Sequence, residues 1–414
     1  MESAKGSGTK VSLLKWGMIP RQSPNWKQYV ESGTLLPNLP FIRRIREELR
    51  NSDTVIDFAS GELSTDLFPN ETIRELLLKQ PFQEQLGYED PQGFFPLRGS
   101  LVTFLAQHLH ISATDSSILI TSGSQQSLYL ITQCLLSPGD AVAIEDPSYC
   151  YSLPMFQSAG LRLFRMPVDE QGINPEDIIP LYRQHRIRMV FLNPNYQNPT
   201  GTVLSSERRF RLLAIAAELG ILIVEDDPFT LTAFDGNPPP TLKSLDTTGN
   251  VLYIGSLSKI AASGLRIGWM IAPQSVIHRL TDARQQMDFG LSSIPQWVAH
   301  HFIKDGHLDQ QIIYLRQALL LKRNEMMNGL DHILSEFMTY TAPQGGLNMW
   351  CKINRPIDDF RLLDEAIKKG VLLVPGSVYG SDHGYIRLSF ARPRFEDIQP
   401  GLTRLHEALQ IHCR

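Results

Sequence analysis

Lys259 and Arg266 stand seven residues apart in the segment SLSKIAASGLRIGW, which covers residues 256–269 and contains no other charged residue. A lysine amine can condense with an aldehyde. An arginine guanidinium, with the hydroxyls of Ser256 and Ser258, can hold a phosphate. A solvated loop lysine is the usual interpretation of any single lysine, so this segment needs support from elsewhere in the chain.

Polar residues also follow two earlier apolar runs. The run SILIT leads into TSGSQQS, where Gly123 and Ser124 mark the start of a helix. Free N–H groups at that point bind anions, although an N-cap serine gives the same pattern. The run AVAIED leads to Tyr149, which either stacks on a flat ring or is simply a half-buried aromatic residue.

Two later runs end in amide and carboxylate side chains. In NPNYQNPTG, Pro199 restricts Asn198 and could aim its amide inward, while the composition also suits an ordinary turn. In VEDDPF, Asp226 and Asp227 are adjacent, and we expect one to be buried and the other exposed. A metal or a helix cap is the alternative, but no histidine nearby supports a metal site.

The elements that must position these residues alternate from about residue 117. Short apolar runs (SILIT, AVAIED, MVFLNP, ILIVEDD, VLYIGS) are separated by amphipathic stretches such as SSERRFRLLAIAAELG. This pattern predicts buried parallel strands with crossover helices, hence a doubly wound α/β sheet. Ligands bind such sheets at the carboxyl ends of the strands, where all five polar sets lie. Beyond about residue 295 the pattern predicts a smaller α+β domain.

Composition places few further limits on function. The chain has 414 residues, 42% of them hydrophobic and 20% charged, with a net charge of −4. Residues 1–50 carry a net charge of about +5 and form a predicted basic arm, followed by a large domain (51–295) and a small one (296–414). The four cysteines form no C-x-x-C pair, and a cytoplasmic protein without a membrane span is expected.

Four motifs, taken together, resemble those of the fold-type I pyridoxal-phosphate aminotransferases of class I/II: SGSQQ, NPTG, DDPF and SLSKIAASGLRIG. The resemblance covers about residues 55–410. It implies a mostly parallel seven-stranded central sheet with helices on both faces, a smaller α+β domain and a homodimer. It also implies pyridoxal 5′-phosphate as cofactor and the exchange of an amino group between an amino acid and a 2-oxo acid.

The resemblance assigns roles to individual residues. Lys259 would form the Schiff base and move a proton, Asp226 would pair with the ring nitrogen, and Tyr149 would stack on the ring. Asn198 would bind the ring hydroxyl, Arg387 would clamp the substrate carboxylate, and Gly61 would let the backbone approach the substrate. The phosphate would be held by Ser124, Gln125, Ser256, Ser258, Arg266 and, from the partner subunit, Tyr88. One position departs from the family, because Phe229 replaces a tyrosine that donates to the ring oxygen.

The segment ESAKGSGTKVS is similar to the closing wing of a GntR-type winged-helix domain. In MocR-type regulators such a domain precedes an aminotransferase-like domain. The alternative function is therefore an effector-binding half that forms an external aldimine without turnover, with nucleic acid as a partner only through an upstream winged-helix domain. The enzyme is the preferred prediction, because no helix-turn-helix is found in the sequence.

Overall fold

The computed structural model describes residues 2–3, 9–10, 25–52, 54–79 and 87–412. The chain divides into two compact units, residues 1–36 and residues 37–414. Within the described ranges, no helix has the length and apolar character needed to cross a membrane.

The described ranges contain fourteen α-helices. They are α1 (Trp26–Glu31), α2 (Pro40–Asn51), α3 (Asn70–Lys79), α4 (Phe95–Leu109), α5 (Ser124–Cys134), α6 (Met155–Ser158), α7 (Ile178–His185), α8 (Ser206–Leu219), α9 (Leu242–Leu245), α10 (Gln274–Gln285), α11 (Ser293–Lys304), α12 (His307–Ile333), α13 (Asp359–Lys368) and α14 (Ile398–His412). Helix α8 shows how the sequence determines where a helix begins and ends. At its start the Ser205 hydroxyl accepts a hydrogen bond from the Arg208 N–H, and at its end Gly220 adopts the left-handed conformation.

The same ranges contain sixteen β-strands. They are β1 (Glu2–Ser3), β2 (Thr9–Lys10), β3 (Ile56–Asp57), β4 (Ile118–Thr121), β5 (Ala141–Asp146), β6 (Arg162–Asp169), β7 (Gly172–Ile173), β8 (Met189–Leu192), β9 (Leu222–Asp227), β10 (Val251–Ser256), β11 (Gly268–Ile271), β12 (Met338–Tyr340), β13 (Asn348–Ile353), β14 (Val371–Leu372), β15 (Val374–Pro375) and β16 (Tyr385–Ser389).

The central sheet has the strand order β4-β11-β10-β9-β8-β5-β6-β7. Strands β10, β9, β8, β5 and β6 run parallel to one another, whereas β11 is antiparallel to β10 and β4. All five apolar runs predicted as strands are strands of this sheet. The expected number of seven needs correction, because the two-residue β7 pairs antiparallel with β6 as an eighth strand.

Helices cover both faces of the central sheet, as expected. On β4, Ile120 packs in one apolar cluster with Leu101 of α4, while its neighbour Leu119 packs in another with Leu128 of α5. Successive residues of a strand point to opposite faces, so both faces are buried. This burial explains why the strands read as continuous apolar runs.

A second sheet, β12-β13-β16-β15, is antiparallel, and β14 pairs with β3. The apolar face of the four-stranded sheet packs on helices α12, α13 and α14 through residues such as Leu319, Leu362 and Leu405. Helix α11 begins at Ser293, and its Phe302 packs with Leu101 against the central sheet. The division into domains at residues 50 and 295 stays a prediction.

Candidate active site

Lys259 lies immediately after β10, at the end of a one-turn 3₁₀ helix, Leu257–Lys259. Its Nζ donates a hydrogen bond to the carbonyl oxygen of Gly61 at 2.7 Å. Burial lowers the pKa of Lys259 to about 8; the carboxylate of Glu62 opposes that shift and the Arg387 guanidinium adds to it. A substantial fraction of this amine is therefore neutral, and hence nucleophilic, near pH 8.

Arg266 lies against the N-terminus of α5. Its Nη2 donates to the Ser122 carbonyl at 2.6 Å, and a Cβ atom added to Gly123 would lie only 2.6 Å from that nitrogen. Glycine is required at this position, which also has a φ of 83°. A guanidinium beside the first N–H groups of a helix makes a site for an anion such as a phosphate.

The remaining predicted phosphate ligands lie on the same two segments. Ser124 is the first residue of α5 and is half-buried, while Gln125 beside it is exposed. Ser256 and Ser258 are buried, and the Ser256 hydroxyl donates to Ser258 Oγ at 2.9 Å. The structure thus brings the helix N-terminus and the arginine together, and holds the two serines in the turn that leads to Lys259.

Asp226 and Asp227 are both buried, which corrects the expectation that one of them is exposed. The side chain of Asp227 accepts hydrogen bonds from the Tyr253 hydroxyl at 2.8 Å and from the Thr230 N–H at 3.0 Å. In contrast, Oδ1 of Asp226 is buried without a hydrogen-bond partner. Burial, together with the charge of Asp227, raises the pKa of Asp226 to about 7, and the charge of Lys259 offsets only part of that shift.

Asn193 links the third and fourth strand ends, and sequence reasoning missed it. Its Nδ2 donates to the Asp226 carbonyl at 2.8 Å, and its Oδ1 accepts from the Asn198 N–H at 2.7 Å. The Asn198 carbonyl in turn accepts from the Tyr149 N–H at 3.1 Å. Asn193, the first asparagine of NPNYQNPTG, therefore connects three predicted site residues, Asp226, Asn198 and Tyr149, through hydrogen bonds. Tyr149 is half-buried, and burial with the charge of Asp226 raises the pKa of its hydroxyl.

Arg387 is a buried residue of β16. Its Nη1 donates to Asn198 Oδ1 at 3.3 Å and its Nη2 donates to the Ala59 carbonyl. Its Nε is buried without a partner. A Cβ atom on Gly61 would lie 3.7 Å from Nη1. Gly61 therefore lies next to both the guanidinium and the Lys259 amine, as a shared substrate site requires.

Glu62 and Tyr379 also lie close to predicted site residues, Glu62 to Lys259 and Tyr379 to Arg387, although the sequence analysis did not select them. Glu62 accepts a hydrogen bond from the Ser263 hydroxyl at 2.8 Å and pairs with Arg392 at 3.2 Å. The Tyr379 ring lies 5.4 Å from the Arg387 guanidinium carbon. The position of Glu62, directly after Gly61, was the available signal for its role, whereas Tyr379 is distant in sequence from every motif.

Two further residues from the sequence analysis, Tyr88 and Phe229, pack against aromatic or apolar side chains. Tyr88 is 90% exposed, packs on Phe289 at 5.8 Å between ring centroids and lines a cavity of about 590 Å³. Its role across a subunit interface stays a prediction. Phe229 is buried in the apolar cluster that contains Tyr196 and Leu319, so packing accounts for an apolar side chain at this position.

Comparisons with known proteins agree with this geometry. A family model for aminotransferase class I and II matches residues 53–405. The chain is 40% identical over 409 residues to the Bacillus subtilis protein described as an uncharacterized HTH-type transcriptional regulator, YdfD, covering 98% of this chain and 84% of that protein. It is 31% identical to aromatic-amino-acid aminotransferase 1 of Thermococcus litoralis, covering 93% of this chain and 95% of the relative.

Among solved structures, the fold is similar to Pyrococcus horikoshii kynurenine aminotransferase in complex with PMP. The TM-score is 0.87 at 31% identity, and the match covers 94% of this chain and 99% of the other. The family match extends over most of the sequence and includes every strand end that carries a predicted site residue. The chain therefore belongs to the aminotransferase class I and II family.

Proposed function

We propose that this aminotransferase uses Lys259 as its reacting amine and Arg387 as the group that binds the α-carboxylate of an amino acid. The observation that carries this proposal is the position of Gly61. Its carbonyl accepts the hydrogen bond from Lys259, while its Cα lies beside the Arg387 guanidinium. A substrate amino acid held by its carboxylate at Arg387 would place its Cα next to the lysine amine.

Pyridoxal 5′-phosphate is the cofactor of this family, and the residues present fit it. Arg266 and the N-terminus of α5 suit the phosphate, and the unpaired oxygen of Asp226 suits a protonated ring nitrogen. When bound, the cofactor withdraws electrons from the substrate Cα. Ser124, Gln125, Ser256 and Ser258 are proposed as further phosphate ligands, and Tyr149 and Asn198 as contacts of the ring.

The protein's own side chains supply positioning and proton transfer. Lys259, with its lowered pKa, can take a proton from the substrate Cα and return one later. A protonated ring nitrogen at Asp226 would lower the pKa of this carboxyl group again, so that Asp226 would act as a fixed negative charge. Arg387 and Asn198 would orient the carboxylate, and the hydrogen bond between their side chains already fixes their relative position.

The test is a single-turnover reaction of the holoenzyme with a panel of aromatic and acidic amino acids, including kynurenine. We expect conversion of the cofactor to its amine form, followed by recovery with a 2-oxo acid. The relative named for aromatic amino acids and the structure named for kynurenine favour an aromatic substrate. Absence of conversion with every amino acid would overturn the enzyme assignment.

The second candidate is an effector-binding domain of a MocR/GntR-type regulator. It is favoured by the 40% identity to YdfD, a protein described as a transcriptional regulator. In that case the same residues would bind an amine or amino acid tightly without completing turnover. Stable complexes that form in the single-turnover experiment but never progress would select this function.

Two further properties of the protein are proposed. A homodimer is proposed, with Tyr88 reaching the phosphate site of the partner subunit, and sedimentation of the holoenzyme tests it. A cytoplasmic location is proposed because Cys134, Cys150 and Cys351 are free thiols.

A further inference from the structure

The ring of Tyr379 is fixed next to the Arg387 guanidinium. Tyr379 ends a 3₁₀ helix, Gly376–Tyr379, and is only 4% exposed. The backbone of this turn is held at two points. Ser377 N–H donates to Asp359 Oδ2 at 2.8 Å, and the Tyr379 carbonyl accepts from the Ser148 N–H at 2.8 Å.

The guanidinium and the ring share an aromatic environment. The Tyr379 centroid lies 5.4 Å from Arg387 Cζ, within the range of a cation–π contact. Trp350 stands directly opposite Arg387 in the β13–β16 pair and meets the Tyr379 ring edge-on at 6.2 Å. Behind it, Tyr385 stacks on Trp350 at 5.3 Å. These contacts fix the orientation of the ring, and with it the direction of the hydroxyl group.

The Tyr379 hydroxyl itself is uncommitted. Across the described residues it forms no hydrogen bond, and it is not among the side-chain polar atoms that are sealed from solvent without a partner. A mostly buried tyrosine usually finds a partner for its hydroxyl. Here the ring is buried next to Arg387, while the hydroxyl is neither hydrogen-bonded nor sealed from solvent.

We propose that the Tyr379 hydroxyl donates a hydrogen bond to the substrate carboxylate at the Arg387 site, and so helps this site to select ligands that carry a carboxylate. The inference rests on the proposed function, which places the carboxylate at Arg387. A phenol can donate only while protonated. Burial raises the pKa of Tyr379, which keeps the proton in place throughout the neutral range.

The test uses two ligands that each carry half of an amino acid, 3-phenylpropionate (carboxylate without amine) and phenethylamine (amine without carboxylate). Their dissociation constants for the holoenzyme are measured by calorimetry. Tyr379→Phe removes only the hydroxyl and keeps the ring on Arg387. We expect the dissociation constant for 3-phenylpropionate to rise about tenfold and that for phenethylamine to stay unchanged.

Tyr385→Phe is the matched control, because it removes a hydroxyl from the ring that stacks on Trp350, not from the ring that contacts Arg387, and should change neither constant. The inference would be overturned if Tyr379→Phe raised both dissociation constants equally, or if it left the dissociation constant for 3-phenylpropionate unchanged. Arg387→Ala separates the two proposals. If this variant binds 3-phenylpropionate as tightly as the wild type, the carboxylate site itself is wrong. If it loses that ligand while Tyr379→Phe does not, only the role of Tyr379 fails.

Discussion

Asp226 and Asp227 are adjacent on strand β9, both buried, and differ completely in their side-chain hydrogen bonds. Asp227 accepts from Tyr253 and Thr230, whereas Asp226 Oδ1 has no partner. Neighbouring residues of a strand point to opposite faces. One carboxylate therefore stabilises the fold, and the other is left for a ligand.

This difference predicts opposite effects of the same substitution. Asp226→Asn should retain the cofactor but slow the half-reaction by about 10²–10³-fold, the usual effect of removing one electrostatic contact to a developing charge. The measurement is the rate of conversion to the amine form of the cofactor in a single turnover.

Asp227→Asn is the comparison. It should lower the free energy of unfolding by about 1–3 kcal/mol, because the buried Tyr253 hydroxyl loses its charged acceptor. In cofactor-free protein Asp226→Asn should not destabilise the fold at neutral pH, since the pKa of Asp226 is raised and its ionised form is disfavoured there. An unimpaired half-reaction in Asp226→Asn would remove this residue from the ring-nitrogen role.

Glu62 should control the pH at which Lys259 reacts. The pKa of Lys259 is lowered to about 8, and the Glu62 carboxylate opposes that shift. Attachment of pyridoxal phosphate to cofactor-free protein requires the neutral amine, so its rate should rise with pH through about 8 and then level off. In Glu62→Gln the midpoint should move to lower pH, because the favourable charge beside the ammonium is lost.

Ser263→Ala is the control for that experiment. It removes one hydrogen bond to Glu62 but leaves the carboxylate charge in place, so the midpoint should stay near that of the wild type. A midpoint in Glu62→Gln that is equal to or higher than the wild-type value would contradict the electrostatic role of Glu62.

The two site arginines should have separable effects on binding. Arg387→Ala should weaken amino-acid binding by about 1.5–3 kcal/mol, the value of hydrogen bonds to a charged group, with little change in cofactor affinity. Arg266→Ala should do the reverse, because its guanidinium lies at the N-terminus of α5. Equilibrium titrations measure the dissociation constants of the cofactor and of the amino acid. Loss of cofactor affinity in Arg387→Ala would contradict the assignment of Arg387 to the amino acid and of Arg266 to the cofactor.

Much of the site could be predicted from the sequence because its parts follow strands. Apolar runs locate β4, β5, β8, β9 and β10, and parallel strands bring their carboxyl ends to one edge. An amine (Lys259), a carboxylate (Asp226) and a guanidinium (Arg266) at those ends then indicate a site that binds a phosphate and reacts with an aldehyde.

Other features depend on contacts between distant parts of the chain. Tyr379 and Trp350 lie far from the motifs in sequence, and only the β13–β16 register places Trp350 opposite Arg387. The burial of both aspartates was also missed, because the sequence does not show that Tyr253 and Thr230 supply donors to Asp227. The two-residue strand β7 is too short to give a periodic signal.

The central claim is that Lys259 is the residue that binds the cofactor covalently. The most direct measurement is borohydride reduction of the purified holoenzyme, followed by peptide mass spectrometry. The result we predict is a pyridoxyl group on Lys259 in the wild type and no such group anywhere in Lys259→Ala. A wild-type protein that contains cofactor but yields no modified Lys259, or a modification that persists in Lys259→Ala, would contradict the account.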